Sequence, residues 1–328
     1  MISHLYKSGT RARLDENCIS TAQYKLAYTG VEPLDEGLCG LVTVFHASMD
    51  PSNIAFTIEG LTSLATYVTL PYIEAARSGR NLALAFPVLF GILYQSLSMA
   101  FIFPLYCLAF VWSGAASFHK HPHTRDSQNL TKVDQAHAEG ILFGLFVGYL
   151  IPTASMLVLE DPYVTIIWQF FPIWMTVSQF AHLFFRPSSR YPYSGYPTVR
   201  ATYIILFIVS TSYHIGIVWP RLRDGALLNH LFLPGSIHTH NPATTTLEVG
   251  VLELFKRDVA IGFGSVALVT LWLARSIKEL VLLVAWHIAA TVIVGPGAAL
   301  AAALLWREAL LNGHQPKEAD SKREVKSE

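Results

Sequence analysis

The run IAFTIEGLTSLATYVTLPYI (residues 54–73) carries one charged side chain, Glu59, along 20 positions. At 1.5 Å per residue, a helix of this length crosses a hydrocarbon layer about 30 Å thick. Six further apolar runs follow, at 84–113, 138–159, 162–185, 201–219, 259–274 and 280–306. A helix is the open-ended structure whose backbone is fully hydrogen-bonded within lipid. The sequence therefore predicts an all-α integral membrane protein, a bundle of about seven transmembrane helices.

The composition of the whole chain agrees with a membrane protein. Of 328 residues, 52% are hydrophobic and 14% are charged, whereas about 25% are charged in ordinary soluble domains. The 23 Lys and Arg balance the 23 Asp and Glu. Because no basic excess is left to neutralise phosphates, nucleic acid is not an expected partner. The three cysteines, Cys18, Cys39 and Cys107, are too scattered to predict a disulfide framework, and Cys107 is expected to be a buried apolar residue.

Polarity divides the chain into three parts. Residues 1–36 form a polar N-terminal segment without the pattern of a cleavable signal. Residues 37–311 form the helical transmembrane domain, and residues 312–328 form a charged disordered tail. Residues 38–49 are apolar but shorter than a membrane span, so we expect an interfacial or re-entrant piece there.

Two of the long runs contain signals for irregular helices. Pro104 predicts a break within 84–113, and Gly295-Pro296-Gly297 predicts a kink within 280–306. The sixth run has only 16 residues, 259–274, free of charge. Its helix must therefore begin earlier if it spans the membrane, which carries Asp258 into the membrane boundary.

The seven-span count also predicts an orientation. It places the N-terminal segment on the same side as the loops that carry Lys132, Arg190 and Arg275, and the Lys and Arg there favour a cytosolic N-terminus. We expect a multi-pass protein of the endoplasmic reticulum. Asn129-Leu130-Thr131 is a glycosylation sequon on the N-terminal side, and it would be modified only if that side were not cytosolic.

Motifs for metal-dependent chemistry are absent from the sequence. Magnesium-diphosphate chemistry needs carboxylate clusters, and neither D-D-x-x-D nor N-x-x-x-D-x-x-x-D occurs. Membrane di-iron enzymes need several H-x-x-x-H and H-x-x-H-H boxes, and the histidines at 119–123 and 238–240 do not supply such a set. We therefore expect no metal site and no cofactor.

Carboxylates near the bilayer are the strongest candidates for catalysis. Glu59 lies within the first span, Glu74 ends it with Arg77 three residues on, and Asp50 precedes it. A salt bridge to Arg77 and a helix start would explain Glu74 and Asp50 equally well. Asp258 is the best candidate, because desolvation raises the pKa of an inward-drawn carboxyl and makes it a general acid. By the span count, Glu74 and Asp258 lie toward one membrane face and Asp50 toward the other.

A protonated carboxyl facing an aromatic cavity suits an acid-initiated reaction of a lipid-soluble polyene. The acid protonates an epoxide or alkene, and aromatic faces stabilise the cations that follow. The aromatic candidates are Trp168, Phe171, Trp174, Tyr213, Trp219 and Trp272. Packing and membrane-interface roles would explain each of them as well.

Several short motifs resemble the fungal membrane-bound meroterpenoid cyclases of the ascofuranone and ascochlorin type. They are Asp50-Pro51-Ser52, Glu74-Ala75-Ala76-Arg77-Ser78-Gly79-Arg80-Asn81, Gln95 through Pro104-Leu105-Tyr106, and Asp258 followed by Trp272. The resemblance implies a metal-independent terpene cyclase of secondary metabolism. Its implied substrate is a lipophilic farnesylated aromatic whose terminal alkene is epoxidised, and its implied surroundings are membrane lipid and a nearby pathway epoxidase.

The resemblance also implies site residues. Asp50, Glu74 and Asp258 match acidic positions of the family motifs, although the family often has Asp-Gly where this chain has Asp50-Pro51. Glu59 is added as a catalytic candidate from its membrane depth. The expected substrate-binding residues are Trp168, Tyr213, Trp219, Trp272 and Arg77, and Arg77 is expected to be able to link Glu74 with Asp258.

Two other classes fit a helical membrane protein. A sterol-isomerase-like enzyme also moves protons around carbocations within a helical bundle. A seven-helix receptor or small transporter is the other alternative, but neither a long signalling loop nor an inverted repeat stands out in the sequence.

Overall fold

The computed structural model describes residues 9–19, 22–120, 130–235 and 245–312, and within these ranges the fold is helical throughout. The α-helices are α1 Thr10–Glu16, α2 Glu32–Met49, α3 Ile54–Ala76, α4 Pro87–Ser96, α5 Met99–Trp112, α6 Gln135–Leu145, α7 Ile151–Leu159, α8 Pro162–Gln169, α9 Phe171–Phe185, α10 Tyr196–Val218, α11 Gly225–Phe232, α12 Leu247–Thr270, α13 Ile277–Ile293 and α14 Pro296–Asn312. A π-helical turn, Phe146–Leu150, joins α6 to α7. The predicted all-α class is confirmed.

Helix α3 is the central helix, and it packs against α6, α10 and α14. It begins near the start of α12, where the Asn53 Nδ2 donates to the Glu248 carbonyl at 2.9 Å. It ends near α6, where the Arg77 Nη1 donates to the Thr131 carbonyl at 2.8 Å. We use these contacts to name the two ends of the bundle the Asp50 end and the Arg77 end.

Helices α4 and α5 form a hairpin where the sequence predicts one span over 84–113. The chain reverses at Leu97 and Ser98, whereas Pro104 lies inside α5, so the predicted break at Pro104 is wrong. The loops before and after the hairpin are joined by a hydrogen bond of 2.7 Å from the Gly79 amide to the Leu130 carbonyl. The hairpin therefore enters and leaves at the Arg77 end.

The last predicted span is also two helices. Gly295 has a φ of +94°, a conformation that glycine adopts without the Cβ clash of other residues, and it lets α14 fold back along α13. The Trp286 Nε1 on α13 donates to the Ala299 carbonyl on α14 at 2.9 Å. The predicted kink at 295–297 is thus a complete reversal.

The hairpin of α4 and α5 corrects the predicted orientation. The N-terminal segment lies at the Asp50 end, since Thr10 of α1 packs on Gly250 in the first turn of α12. The loops that carry Lys132 and Arg190 lie at the Arg77 end, where the Lys132 Nζ reaches the Pro192 carbonyl at 3.0 Å. The prediction that these loops share a side with the N-terminus is wrong, because the run 84–113 does not cross the bundle.

Two further helices bear on the predicted spans. Helix α2 begins at Glu32, and α12 begins at Leu247, before the charge-free run 259–274, as the span-length argument expects. By length and hydropathy, two helical stretches of the described chain qualify as membrane-crossing, Gln135–Leu159 and Tyr196–Arg221. This number does not confirm seven spans.

Cysteine pairing was not expected from the sequence. Cys18 and Cys39 form a disulfide that ties the segment after α1 to α2, while Cys107 is free and buried as predicted. Other predicted features lie outside the described residues, namely Asn129 of the glycosylation sequon, the histidines at 121, 123, 238 and 240, and the tail from residue 313.

Candidate active site

A cavity of about 250 Å³ lies between α2, α3, α12 and the turn of the α4–α5 hairpin. We call it the inner cavity. Asp258 is the single charged residue among the described residues that line it. Its aromatic lining residues are Phe45, Phe56, Tyr94, Trp168 and Phe255. The arrangement places one carboxyl group in an aromatic enclosure.

Asp258 faces the start of α5. Its Oδ1 accepts a hydrogen bond of 2.7 Å from the Ala100 amide, and its Oδ2 accepts one of 3.3 Å from the Met99 amide. These amides belong to the first helical turn, whose N–H groups have no partner within the helix and whose dipole favours a negative charge. A carboxylate at this position is therefore stabilised in place.

Asp258 lies in the middle of α12 and is 7% exposed. Its carboxyl is therefore shielded from water, and its two oxygens are held by the amides of Ala100 and Met99. A shielded carboxyl beside an apolar cavity has the chemistry of a general acid.

Aromatic rings surround the space in front of Asp258. The indole of Trp168 is 1% exposed, and its Nε1 donates to the Thr153 Oγ1 at 2.9 Å. The ring of Phe45 lies 4.7 Å from that of Trp168 and 5.4 Å from that of Phe255 between centroids. Ring faces attract positive charge, so this wall can stabilise a carbocation.

A larger cleft adjoins the inner cavity. This outer cleft has a volume of about 1160 Å³ and lies between α1, α2, the end of α4 and the break between α8 and α9. Both spaces are lined by Leu41, Val44, Gln95, Ser96, Leu97 and Leu254. Because these residues border both, the outer cleft and the inner cavity are adjacent.

Glu74 and Arg77 belong to a buried charge cluster completed by Arg307 and Glu308. The Glu74 Oε1 lies 2.9 Å from the Arg77 Nε and 2.5 Å from the Arg307 Nη1, and Arg77 also pairs with Glu308. Two guanidinium groups, those of Arg77 and Arg307, thus donate charge-assisted hydrogen bonds to the Glu74 carboxylate. Glu74 is therefore ionised and paired, which is unfavourable for a proton donor.

The charge cluster is remote from the inner cavity. Leu64 is the last α3 residue that lines the cavity, and Glu74 lies ten positions further on, roughly 15 Å along the helix. Arg77 makes its contacts with Glu74, Glu308 and the Thr131 carbonyl, whereas Asp258 is held by backbone amides. The expected link between Glu74 and Asp258 through Arg77 is wrong.

Glu59 lies on a different face of α3 from the residues that line the cavity. Its Oε1 is 2.8 Å from the Nδ1 of His214, whose Nε2 is 3.0 Å from the Val292 carbonyl. The second oxygen, Oε2, is buried without a hydrogen-bond partner among the described residues. The structure thus pairs Glu59 with His214 beside the Gly295 turn and not with Asp258.

Asp50 organises the turn between α2 and α3. Its Oδ1 accepts hydrogen bonds from the amide of Ser52 at 2.8 Å and from its hydroxyl at 2.6 Å. Asp50 does not line the inner cavity or the outer cleft. Its contacts match the helix-start explanation that the sequence left open.

The other predicted aromatics lie elsewhere. Phe171 is buried behind Trp168, at 5.4 Å between ring centroids. The remaining four are between 39% and 51% exposed and line neither space: Trp174, Tyr213, Trp219 and Trp272. The sequence analysis missed Phe45 and Phe255, although Phe255 precedes Asp258 by three residues and therefore shares its helix face.

The described residues contain no group of three or more His, Cys, Asp or Glu side chains that could hold a metal ion. The groups that face the inner cavity are thus the Asp258 carboxyl, aromatic rings and the polar side chains of Thr57, Gln95, Ser96 and Ser98. The class of protein that the described residues define is a helical bundle with one carboxyl among aromatic rings.

The chain belongs to the CtvD domain family, which matches residues 3–312. It is 28% identical over 211 residues to "Terpene cyclase ascI" of Acremonium egyptiacum, covering 58% of this chain and 52% of the relative. It is 26% identical over 157 residues to "Terpene cyclase ctvD" of Aspergillus terreus, covering 44% of this chain and 43% of the relative. The chain thus matches about half the length of these curated relatives. No solved structure matches it.

Proposed function

We propose that the protein is a metal-independent terpene cyclase that acts on a prenylated aromatic whose terminal alkene has been epoxidised. The observation that carries the proposal is the carboxyl of Asp258, enclosed with aromatic rings and held by two backbone amides. Both curated relatives are named terpene cyclases. This family membership favours a cyclase over a sterol-isomerase-like enzyme and over a receptor or transporter.

The proposed reaction begins when Asp258 donates its proton to the epoxide oxygen. The more substituted C–O bond opens while the neighbouring alkene supplies the electron pair for a new C–C bond, and the oxygen remains as a hydroxyl. The cation is then ended by loss of a proton from carbon, or by capture by a substrate hydroxyl, which loses its own proton. In both cases the released proton restores the acid. No atom leaves and no electrons are gained, so the product is an isomer of the substrate.

The proposed substrate occupies both the inner cavity and the outer cleft. Ligand pockets usually measure about 300–1,000 Å³, so the inner cavity of about 250 Å³ is small for a whole farnesylated aromatic. The epoxide end lies in the inner cavity beside Asp258, with Trp168 and Phe45 facing the cations. The aromatic head group lies in the outer cleft. An enzyme of the oxygenase class must form the epoxide beforehand, and we propose that it works in the same membrane.

We further propose that the protein is a multi-pass protein of the endoplasmic reticulum membrane. The outer faces of the bundle support this, because Val281, Ile288 and Val292 of α13 are 60%, 68% and 65% exposed. Soluble monomers rarely expose apolar surface of this extent. The proposed crossing segments are α3, α6–α7, α8–α9, α10, α12, α13 and α14, with the α4–α5 hairpin re-entrant.

The proposed orientation puts the Asp50 end in the lumen. The disulfide between Cys18 and Cys39 lies at this end, and disulfides persist in the oxidising lumen. Exposed basic residues, among them Arg80 and Arg190, lie at the Arg77 end, as expected of a cytosolic face. This orientation keeps the loops of Lys132 and Arg190 in the cytosol, as the seven-span count predicts, but it moves the N-terminal segment to the opposite side.

The cyclase proposal is tested with microsomes that contain the protein, an epoxyfarnesyl phenol and EDTA. We expect a cyclised product of unchanged mass. Asp258→Asn keeps a carbonyl oxygen for the Ala100 amide but has no acidic proton, so its rate falls by roughly 10²- to 10⁴-fold. Asp50→Asn is the matched control and keeps its rate. No product from several prenylated aromatics, or full activity of Asp258→Asn, would overturn the proposal.

A further inference from the structure

Gln169, the last residue of α8, has a side chain without an evident structural role. It is 5% exposed and lines the outer cleft. Neither its Oε1 nor its Nε2 has a hydrogen-bond partner among the described residues. A buried amide without partners is unfavourable in a protein that binds nothing at this position. The amide therefore points to a ligand group that supplies the missing hydrogen bonds.

The neighbours of Gln169 place its amide at the junction of the two spaces. Trp168, the preceding residue, lines the inner cavity, whereas Gln169 lines the outer cleft. Gln95 lines both, and its Nε2 donates to the Gln169 backbone carbonyl at 3.3 Å. This contact holds the end of α8 against the end of α4. Gln169 therefore lies beside the residues that border both spaces.

The charges of the outer cleft favour a neutral ligand. Its charged lining residues among those described are Arg11, Asp15 and Glu36. Arg11 pairs with Asp15 at 2.9 Å, and Glu36 pairs with Lys25 at 3.5 Å. Because Arg11 is already paired, no free cation in this lining selects a carboxylate or phosphate. The unpaired amide of Gln169 instead offers one acceptor and a donor group to a neutral polar ligand.

We propose that the Gln169 side-chain amide binds the hydroxylated edge of the substrate's aromatic head group. Its Oε1 accepts the proton of a phenolic hydroxyl, and its Nε2 donates to an oxygen of the same ring system. Gln169 is thus a positioning and specificity residue. It fixes the head group so that the epoxide end reaches Asp258. This inference rests on the proposed cyclase function.

The test compares an epoxyfarnesyl phenol with the corresponding epoxyfarnesyl benzene, which lacks the ring hydroxyl. In the unaltered protein, we expect a KM for the benzene roughly 10- to 100-fold above that for the phenol, as for the loss of one or two buried hydrogen bonds. Gln169→Leu raises the KM for the phenol to that for the benzene and leaves kcat roughly unchanged. Gln179→Leu, a matched substitution on α9 outside both spaces, keeps the preference.

The outcomes separate the two proposals. Equal KM values for the two substrates in the unaltered protein overturn the role of Gln169, even if Gln169→Leu fails to accumulate. A Gln169→Leu protein that keeps the preference for the phenol also overturns it. In both cases the cyclase function stands. Absence of cyclised product from either substrate in the unaltered protein contradicts the cyclase function itself.

Discussion

The backbone amide of Ala100 donates a hydrogen bond of 2.7 Å to the Oδ1 of Asp258, 158 positions further along the chain. This bond joins the start of α5 to the middle of α12. It gives the proposed acid its fixed position, and it satisfies one of the amides left free where the chain reverses between α4 and α5.

The proposed role of Asp258 predicts a pH profile. A general acid works in its protonated form, so kcat/KM is highest at low pH and falls as the pH rises through the pKa of the acid. The profile is measured in microsomes buffered across the range. Asp258→Asn has no proton to donate, so the residual rate of this variant should lack the descending limb. The same descending limb in Asp258→Asn argues against Asp258 as the titrating group.

Trp168 is expected to influence the cations formed after protonation. Trp168→Phe keeps a ring but loses indole surface and the bond to Thr153. We expect kcat to fall by about 3- to 30-fold, the range of a cation–π contribution of about 0.5–2 kcal/mol. Premature deprotonation products should also increase. Trp174→Phe, on an exposed ring, is the control. Equal kcat and equal product distributions in the two variants contradict this role.

The charge cluster predicts a loss of stability without a change of chemistry. Glu74→Gln leaves Arg77 and Arg307 with reduced compensation, and breaking a buried ion pair costs about 3–5 kcal/mol. Thermal unfolding in detergent should show a lower Tm, while kcat per folded molecule is kept. Glu279→Gln, in an exposed pair with Arg275, changes stability by about 1 kcal/mol or less. A fully stable but inactive Glu74→Gln would instead place Glu74 in the chemistry.

Gly295 should not tolerate a side chain. At φ +94° a Cβ is strained, and it would lie 2.9 Å from the Glu59 Oε1. We expect Gly295→Ala to destabilise the fold by about 1–3 kcal/mol. Gly216→Ala on α10, where a Cβ meets no atom within 4 Å, should be neutral or stabilising by up to about 1 kcal/mol. Equal melting temperatures for the two variants would contradict the left-handed turn.

The proposed orientation predicts the state of two sites. Cys18 and Cys39 should resist thiol alkylation in intact microsomes until a reductant is added. Asn129 should stay unglycosylated, because Leu130 and Thr131 of its sequon lie at the proposed cytosolic end. Electrophoretic mobility of the protein with and without glycosidase treatment measures the glycosylation of Asn129. A glycosylated Asn129 would reverse the orientation.

The sequence predicted the helical class because a long uncharged run within lipid can satisfy its backbone hydrogen bonds in few structures other than a helix. It also identified Asp258, because the run 259–274 is too short to span without extension. It did not predict the reversal at Leu97 and Ser98, where neither proline nor glycine marks a turn. The partner that stabilises this reversal is Asp258, which local patterns cannot connect to it.

The candidate site was predicted only in part, because contacts between distant segments leave no local signal in the sequence. Glu74 beside Arg77 is visible as helical spacing, but Arg307 and Glu308 join them only through packing. His214 is 155 positions from Glu59, so their pairing has no local signal either. Gln169 was not singled out, because an unpaired amide can be recognised only once its surroundings are known.

The turn of the α4–α5 hairpin both lines the junction between the two spaces and holds the carboxyl of Asp258. Leu97 and Gln95 form part of the junction between the outer cleft and the inner cavity, while Met99 and Ala100 hold the carboxyl of Asp258. A movement of this turn that widened the junction would also withdraw the amides that favour the carboxylate. The acid would keep its proton while the passage was open and release it more readily once the hairpin had closed behind the substrate. Substrate entry and proton transfer would therefore depend on the same turn of the chain.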